Sequence, residues 1–284
     1  MRKLNRQLAN ALRPLAFRAR GKRTWTLELL KNERDIQAGL RQKHEFDESR
    51  WKVVKDSLLS DTAGKCAYCE APTTVVAYGD VEHFRPKSVY WWLAYTYENY
   101  LASCQLCNQK FKKDNFPILN QPMAPPGPPL RGDMTDAQLQ NLHDQVFLDF
   151  ADPVQMAVFV ASHQVERPLL PNPYLDEPDD YFAYRVDHVL KEVELVAVPG
   201  AQAYLDAAVR YYGLNRSELN QLRYNLVYRP YRLAVSVLDD PHFTGTQAWQ
   251  EATRLVTESC ARQAPFSGMI CYFERVRASG GQLP

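Results

Sequence analysis

Two Cys-x-x-Cys pairs, Cys66/Cys69 and Cys104/Cys107, constrain the fold of this chain more than any other feature. Each pair offers two sulfurs from one tight turn, so the four thiolates can close a tetrahedral shell around Zn²⁺. Four buried free cysteines or two disulfides are the alternatives. The paired spacing, together with an N-terminus that lacks the apolar region of a signal peptide, favours structural zinc. Cys260 and Cys271 are left over and are expected to be buried free thiols, as in a reducing cytosol.

An acid stands beside a histidine between the two pairs, at Glu82-His83, and the cations Arg85 and Lys87 follow. Oxygen ligands for Mg²⁺ next to a neutral imidazole are what one-metal phosphodiester hydrolysis requires. The alternative for His83 is an ordinary surface histidine. Its place inside a stretch framed by the cysteines favours a catalytic role.

The same stretch predicts a β-hairpin followed by a short helix. Residues 73–78 are rich in β-branched side chains, Gly79-Asp80 breaks the run, and residues 81–84 resume it, so the two runs are expected to pair. Neighbouring side chains of a strand point to opposite faces, so Glu82 and His83 can share one site only near a strand end, which Pro86 supplies. Residues 104–112 are expected to form the helix.

The segment from Cys66 to Lys113 resembles the ββα-metal core of HNH endonucleases, in the version flanked by a four-cysteine zinc knuckle. The matching residues are Glu82, His83, Asn99 and Asn108, so the chain has H-N-N where the family has H-N-H. The resemblance implies that His83 is the general base and that Glu82 and Asn108 hold a catalytic Mg²⁺ or Mn²⁺. It also implies that Asn99 braces the hairpin and orients His83. For Asn108, a helix cap is the alternative.

Further phrases resemble the HNH nucleases that accompany retrons and the nuclease subunit of the Septu anti-phage system (PtuB-like). They are GKCAYCE, VEHFRPKS, LLPNPYLDEPDD and YGLNRSEL; where the family pattern has LLNP, this chain has Leu169-Leu170-Pro171-Asn172-Pro173. The resemblance implies an anti-phage effector in the bacterial cytoplasm that works with an ABC-type ATPase subunit (PtuA-like).

The implied substrate is nucleic acid, with DNA as the first expectation and RNA as the second. Candidate phosphate contacts are Arg85, Lys87, Lys110, Lys112 and Lys113, although a helix can also carry a merely solvated lysine face. Two other functions fit the same residues. One is a non-catalytic zinc-knuckle module that binds nucleic acid, and the other is a stand-alone HNH nuclease of restriction type, for which no separate DNA-reading module is evident.

The fold class expected is α+β, with a small ββα-metal core embedded in mainly helical N- and C-terminal regions. Four regions are predicted: a basic helical region at 1–62, the nuclease core at 63–120, a Pro-rich linker with an acidic mixed segment at 121–194, and a helical region at 195–284. Residues 1–57 hold fifteen Lys/Arg against seven Asp/Glu, whereas residues 131–194 hold four against thirteen. The acidic segment either repels nucleic acid, docks a basic partner surface, or faces the basic region. No apolar run approaches the roughly 20 residues that span a bilayer.

Local patterns predict the remaining elements. Leu4, Leu8, Ala11, Leu12 and Leu15 have helical spacing in an acid-free start, which is typical of a docking arm or of a transit peptide. Helices are expected at 24–41, 47–59, from 201 to Gly213, from a cap at Asn215 or Ser217, at 247–263 and at 267–278, and short strands at 156–160 and 181–186. The aromatic residues between 90 and 100 are expected to pack a core, with base stacking as the alternative. Asp176, Glu177, Asp179 and Asp180 fit either an acidic turn or a second metal site.

Overall fold

The computed structural model describes residues 1–6, 17, 19–75, 78–121, 123, 127–147, 149–150 and 152–281. Of the predicted N-terminal apolar stripe only Leu4 is described, and Leu8, Ala11, Leu12 and Leu15 lie outside the described residues. The described part combines helices with two small antiparallel sheets, which confirms the prediction of a mixed α+β chain. Among the described helices, none has the length and apolar character needed to cross a lipid bilayer.

Ten α-helices and four strands are described, together with two π-helical segments. The helices are α1 Ala19–Gln37, α2 Ser49–Lys52, α3 Lys55–Thr62, α4 Asp136–Val146, α5 Pro153–Glu166, α6 Gln202–Tyr212, α7 Ser217–Leu222, α8 Arg229–Asp239, α9 Gln247–Cys260 and α10 Ser267–Ala278. The strands are β1 Asp80–His83, β2 Tyr100–Ser103, β3 Phe182–Asp187 and β4 Glu192–Ala197. One π-helical segment, Leu106–Lys112, is called the knuckle helix below, and the other, Arg223–Tyr228, joins α7 to α8.

The strand that carries Glu82 and His83 has a different partner from the one predicted. β1 pairs antiparallel with β2, which places His83 opposite Tyr100 and Glu82 opposite Leu101. The predicted pairing with residues 73–78 is wrong, because residues 73–75 and 78 form no strand, while 76 and 77 lie outside the described residues. All four residues of β2 are buried, whereas Thr74, Val75 and Tyr78 are exposed, so the pairing with β2 covers β1 with core side chains.

Two hydrophobic clusters pack the region of β1 and β2 against helices from the N-terminal and the C-terminal parts of the chain. One packs the cysteine cluster and Phe84 against side chains of β3, β4, α6, α8 and α10. The other packs Tyr100 and Ala102 of β2 against α1, α3, α4 and the aromatic residues between 90 and 100. Tyr90, Trp91, Tyr95, Tyr97 and Tyr100 are buried, which confirms that the aromatic stretch packs a core. Both clusters cross the region boundaries that the sequence predicts.

The acidic middle segment contains helices where the sequence predicts a strand. Residues 156–160, predicted as β-like, lie inside α5, so that prediction is wrong. Asp152 caps this helix by accepting from the Val154 amide at 2.9 Å, and Pro153 stands at the first helical position. The Asp152 cap and Pro153 favour a helix here more strongly than the valines favour a strand. The strand predicted at 181–186 is confirmed as β3.

The C-terminal helices agree with the sequence except at one cap. α6 ends at Gly213, which has φ 65°, and α9 and α10 occupy the expected stretches. Neither Asn215 nor Ser217 caps α7, because α7 has no side-chain cap at its N-terminus. Asn215 instead exchanges two hydrogen bonds with the backbone of Leu195, at 2.9 and 2.8 Å, and so ties this turn to β4.

Candidate active site and cysteine cluster

The four cysteines come together at the centre of the fold. Their sulfurs all lie within 4.8 Å of one another, and the sulfurs of Cys69 and Cys104 are 4.0 Å apart. Tetrahedral Zn²⁺ with Zn–S bonds of about 2.3 Å places neighbouring sulfurs about 3.8 Å apart. All four thiols are free, and Cys66, Cys69 and Cys107 are buried. The arrangement therefore fits a metal ion and not a pair of disulfides.

The C-terminal region supplies a cation to this cluster. A guanidinium nitrogen of Arg216 lies 3.9 Å from the Cys107 sulfur and also donates to the Gly213 carbonyl at 2.9 Å. Burial alone would lower the pKa of Arg216, but the thiols of Cys107 and Cys69 outweigh that effect and raise it. Arg216 lies in the phrase YGLNRSEL, which carries part of the family resemblance. Its contact with the cysteines was not predicted from the sequence.

His83 is held in one tautomer by the backbone. The imidazole is buried, and its Nε2 lies 2.9 Å from the carbonyl oxygen of Ala94. A carbonyl oxygen only accepts, so Nε2 carries the proton and Nδ1 is the basic nitrogen of the neutral ring. The rings of Trp51 and Tyr100 pack edge-on against the imidazole, each with centroids 4.9 Å away. Burial, followed by the charge of Lys87, lowers the pKa of His83 to about 3.

Glu82 is buried beside a buried lysine. Its Oε1 lies 2.5 Å from Nζ of Lys112, and the same ammonium donates to the backbone carbonyl of His83 at 3.0 Å. Burial raises the pKa of Glu82, while the charge of Lys112 opposes that shift. Lys112 therefore fixes the end of β1 from the knuckle helix.

Asp80 joins the candidate metal ligands, and the sequence did not single it out. Asn108 Nδ2 donates to Asp80 Oδ2 at 3.2 Å, and Gln109 donates to the same oxygen at 2.9 Å. Asp80 and Glu82 are two residues apart on β1, so both face the knuckle helix, and this two-residue spacing is the signal that could have found Asp80. The Asn108 side chain points to Asp80 and makes no capping bond at the start of the knuckle helix.

These groups line one open cavity of about 660 Å³. It brings together Asp80, Glu82, His83 and Asn108 with Trp51 and with lysines from both sides, Lys52, Lys55, Lys87 and Lys113. Carboxylate and amide oxygens beside a neutral imidazole form a donor set suited to a hard divalent cation. Glu48, which pairs with Lys52 at 2.9 Å, and Asp114 also line the cavity, so Lys55, Lys87 and Lys113 are the cations placed to meet phosphate.

Asn99 lies behind the cavity and brackets the backbone of Arg85. Its Oδ1 accepts from the Arg85 amide at 2.8 Å, and its Nδ2 donates to the Arg85 carbonyl at 2.9 Å. The Phe84 amide also donates to the Asn99 carbonyl at 2.8 Å. Because Asn99 is fully buried, these bonds fix the loop that follows His83.

Two predicted phosphate contacts require correction, because their side chains are buried. Arg85 is 0% exposed and donates to Glu166 of α5 at 2.6 and 2.9 Å, and Lys112 is 0% exposed in its pair with Glu82. Neither cation can meet a phosphate in this conformation. Lys87 and Lys113 line the cavity, whereas Lys110 is exposed outside its lining.

In the acidic stretch after α5, Asp176 belongs to a buried polar network. Glu166 also accepts from the Tyr90 hydroxyl, and His163 lies between a guanidinium nitrogen of Arg85 at 3.2 Å and the Asp176 carboxylate at 2.9 Å. Asp176 additionally accepts from the backbone amide of Asn172 at 2.6 Å.

The other acids of this stretch turn outward, and two of them make surface ion pairs, Glu177 with Lys3 and Asp179 with Arg275. The residues form an acidic turn before β3, and no second metal cluster occurs among the described residues.

Comparison with known proteins identifies relatives over part of the chain. Septu protein PtuB of Bacillus mycoides (strain KBAB4) is 39% identical over 92 residues, which cover 28% of this chain and 31% of that protein. Septu protein PtuB of Bacillus thuringiensis is 38% identical over 79 residues, or 26% of this chain and 30% of that protein. The chain thus spans less than a third of the length of these curated relatives.

No protein-family model matches the chain. No solved structure matches it either. The similarity of sequence to two PtuB proteins shows that, over roughly a quarter of its length, this chain is related to the Septu protein PtuB.

Proposed function

We propose that this protein is a metal-dependent endonuclease of HNH type that hydrolyses phosphodiester bonds. The observation that carries the proposal is the fixed tautomer of His83, whose Nε2 is committed to Ala94 and whose Nδ1 is left as the base. Its cavity also holds Glu82, Asn108 and Asp80. A module that only binds nucleic acid has no need of a base beside clustered oxygen ligands.

In the proposed mechanism, Nδ1 of His83 accepts a proton from the attacking water while Nε2 keeps its hydrogen bond to Ala94. Trp51 and Tyr100 restrict rotation of the ring, and Asn99 holds the loop that follows it. Lys87 and Lys113 are placed to hold phosphate oxygens at the rim.

Glu82, Asn108 and Asp80 would hold Mg²⁺ or Mn²⁺, since their oxygens suit a hard cation. The ion pair of Glu82 with Lys112 uses Oε1, which leaves Oε2 as the oxygen for the cation. When bound, the cation would stabilise negative charge on the phosphodiester oxygens. The four cysteines would separately hold structural Zn²⁺.

The similarity to PtuB supports a role in anti-phage defence. We infer that the protein is the nuclease subunit of a Septu-type anti-phage assembly in the bacterial cytoplasm, with an ABC-type ATPase subunit as partner. DNA is the first candidate substrate and RNA the second.

The test is cleavage of plasmid, single-stranded DNA and total RNA by the zinc-loaded protein, with Mg²⁺ or with EDTA. Each substrate is offered to the protein alone and together with any ABC-type ATPase encoded beside its gene. Because base catalysis contributes typically ~10²–10⁴-fold, His83→Ala should lose that factor in rate. His242→Ala is the matched control, because that histidine is 92% exposed and remote from the cavity.

Cutting that requires Mg²⁺ and is lost only in His83→Ala supports the proposal and identifies the substrate. Folded, zinc-bound protein that cuts in none of the mixtures would favour the non-catalytic binding module. Autonomous cutting at one DNA sequence would favour a stand-alone restriction-type nuclease.

A further inference from the structure

Cys260 and Cys271 lie next to each other, outside the cysteine cluster. Cys260 is the last residue of α9, and Cys271 lies in the second turn of α10. The sulfur of Cys271 is 3.6 Å from the carbonyl oxygen of Cys260. Both residues were expected to be buried, but both are free thiols that are only half-buried. A small reagent in solution can therefore reach the pair.

The two thiols differ in how readily they ionise. A hydrogen bond with Cys260 lowers the pKa of Cys271, and the charges of Arg2 and Arg275 add to that effect, while burial and Glu70 oppose it. The same hydrogen bond raises the pKa of Cys260. Cys260 also stands at the C-terminal end of α9, where the helix dipole disfavours negative charge. Because the thiolate is the reactive form of cysteine, Cys271 is the nucleophile of the pair.

Arg2 places a positive charge beside the pair. One of its guanidinium nitrogens donates to the Cys260 carbonyl at 2.7 Å and to the Ser267 hydroxyl at 3.0 Å. Ser267 begins α10, so Arg2 spans the end of one helix and the start of the next. A nearby cation, partial exposure and a neighbouring second thiol distinguish redox-sensitive cysteines from inert buried ones.

The segment between the two thiols holds the first Cys-x-x-Cys turn. Lys65, directly before that turn, donates to two backbone carbonyls of residues 261–268 at 2.7 and 2.8 Å. Glu70, directly after the turn, accepts from the Gly268 amide at 2.9 Å. A bond between the two sulfurs would therefore fix the ends of the segment that clamps this turn.

We propose that Cys260 and Cys271 form a redox-active dithiol that reduces hydrogen peroxide and closes into a disulfide. The Cys271 thiolate attacks one peroxide oxygen, the O–O bond breaks, and the departing hydroxide takes up a proton and leaves as water. Cys271 is then a sulfenic acid and no longer carries the charge that opposes ionisation of Cys260.

The sulfur of Cys260 next attacks the sulfur of the sulfenic acid. The S–S bond forms, the S–O bond breaks, and a second water leaves with the proton of Cys260. In total the two thiols are oxidised by two electrons and the peroxide is reduced to two waters. A dithiol reductant reverses the change by thiol–disulfide exchange. None of these residues lines the candidate active-site cavity, so the proposal does not depend on nuclease activity.

The test uses the zinc-loaded full chain, treated with equimolar hydrogen peroxide, alkylated with N-ethylmaleimide and digested with trypsin without reduction. Cleavage after Arg262 separates the two cysteines into the peptides 255–262 and 263–275. Mass spectrometry should find these peptides linked, and dithiothreitol should separate them. The four cysteines of the cluster should stay unoxidised, which makes them the internal control.

Cys260→Ser and Cys271→Ser separate the roles of the two thiols. Cys260→Ser lacks the resolving thiol, so it should accumulate a sulfenic acid on Cys271 that dimedone labels. Cys271→Ser should give about tenfold less label on Cys260. A wild-type protein without the linked peptides, or a link that joins two copies of the chain, would overturn the proposal. Equal or greater labelling of Cys260, or oxidation of the cluster before the pair, would overturn it as well.

Discussion

The ammonium of Lys112 lies 2.5 Å from the carboxylate of Glu82, and neither side chain is more than 4% exposed. The pair joins the knuckle helix to β1 directly beside His83, whose carbonyl accepts from the same ammonium. A lysine predicted to contact phosphate is thus a structural partner of a predicted metal ligand.

Loss of Lys112 should destabilise the protein strongly. Lys112→Met leaves Glu82 buried without its counter-ion, and breaking a buried pair in this way costs about 3–5 kcal/mol in the free energy of unfolding. Lys113→Met, at the exposed neighbouring residue, should change it by less than about 0.5 kcal/mol. Urea unfolding of both variants measures the difference, and equal losses would contradict the assignment of Lys112.

Gly213 should tolerate no side chain, for two separate reasons. Its φ of 65° is left-handed, and an added Cβ would lie 2.6 Å from the Phe111 ring of the knuckle helix. Gly200 has φ 83° but nothing within 4 Å of such a Cβ, so it is the matched control for backbone strain alone.

We expect Gly200→Ala to cost about 1 kcal/mol through backbone strain and Gly213→Ala clearly more, since the ring must also move. Thermal unfolding of the two variants provides the comparison. If the two melting temperatures fall equally, α6 does not press on the knuckle helix as the structure shows.

The cysteine cluster should bind one Zn²⁺ and depend on it for folding. Cys66→Ser removes one of four ligands, so metal content and folding should be lost together, as chelation of the wild-type protein should also show. Cys271→Ser, at a free cysteine outside the cluster, should keep both. Elemental analysis combined with circular dichroism measures the two properties. A folded, metal-free Cys66→Ser protein would rule out a structural zinc at this cluster.

His83 should stay neutral well below physiological pH. Burial, aided by Lys87, lowers its pKa to about 3, against about 6.5 for a free histidine. The folded state therefore binds fewer protons than the unfolded state between these values, so this histidine contributes stability that is full above pH 6.5 and falls as the pH drops towards 3.

NMR titration of the zinc-loaded, magnesium-free protein measures this directly. The His83 ring should show no protonation above about pH 5. Protonation of His83 near pH 6.5 would mean that its ring is solvated and that Ala94 does not hold it in one tautomer.

Much of the candidate site follows from local sequence. Each Cys-x-x-Cys pair is made by one turn, and the Glu82-His83 pair and Asn108 are recognisable from their spacing to those turns. The end of α6 at Gly213 and the helix at 267–278 likewise depend on neighbouring residues, which is why the sequence predicts them. The alternation of a strand places Asp80 on the same face as Glu82, which is the local signal that could have predicted it.

The sequence by itself determined the two cysteine pairs, the histidine beside an acid, the mixture of helix and strand, and the relationship to PtuB. Only the tertiary structure decided that β1 pairs with β2, that Arg85 and Lys112 are buried, and that α5 lies against the loop after His83. The reason is sequence separation. Arg85 and Glu166 are 81 residues apart in the sequence. An arginine can be buried only where the fold places a carboxylate beside it, and local sequence does not reveal such a distant partner.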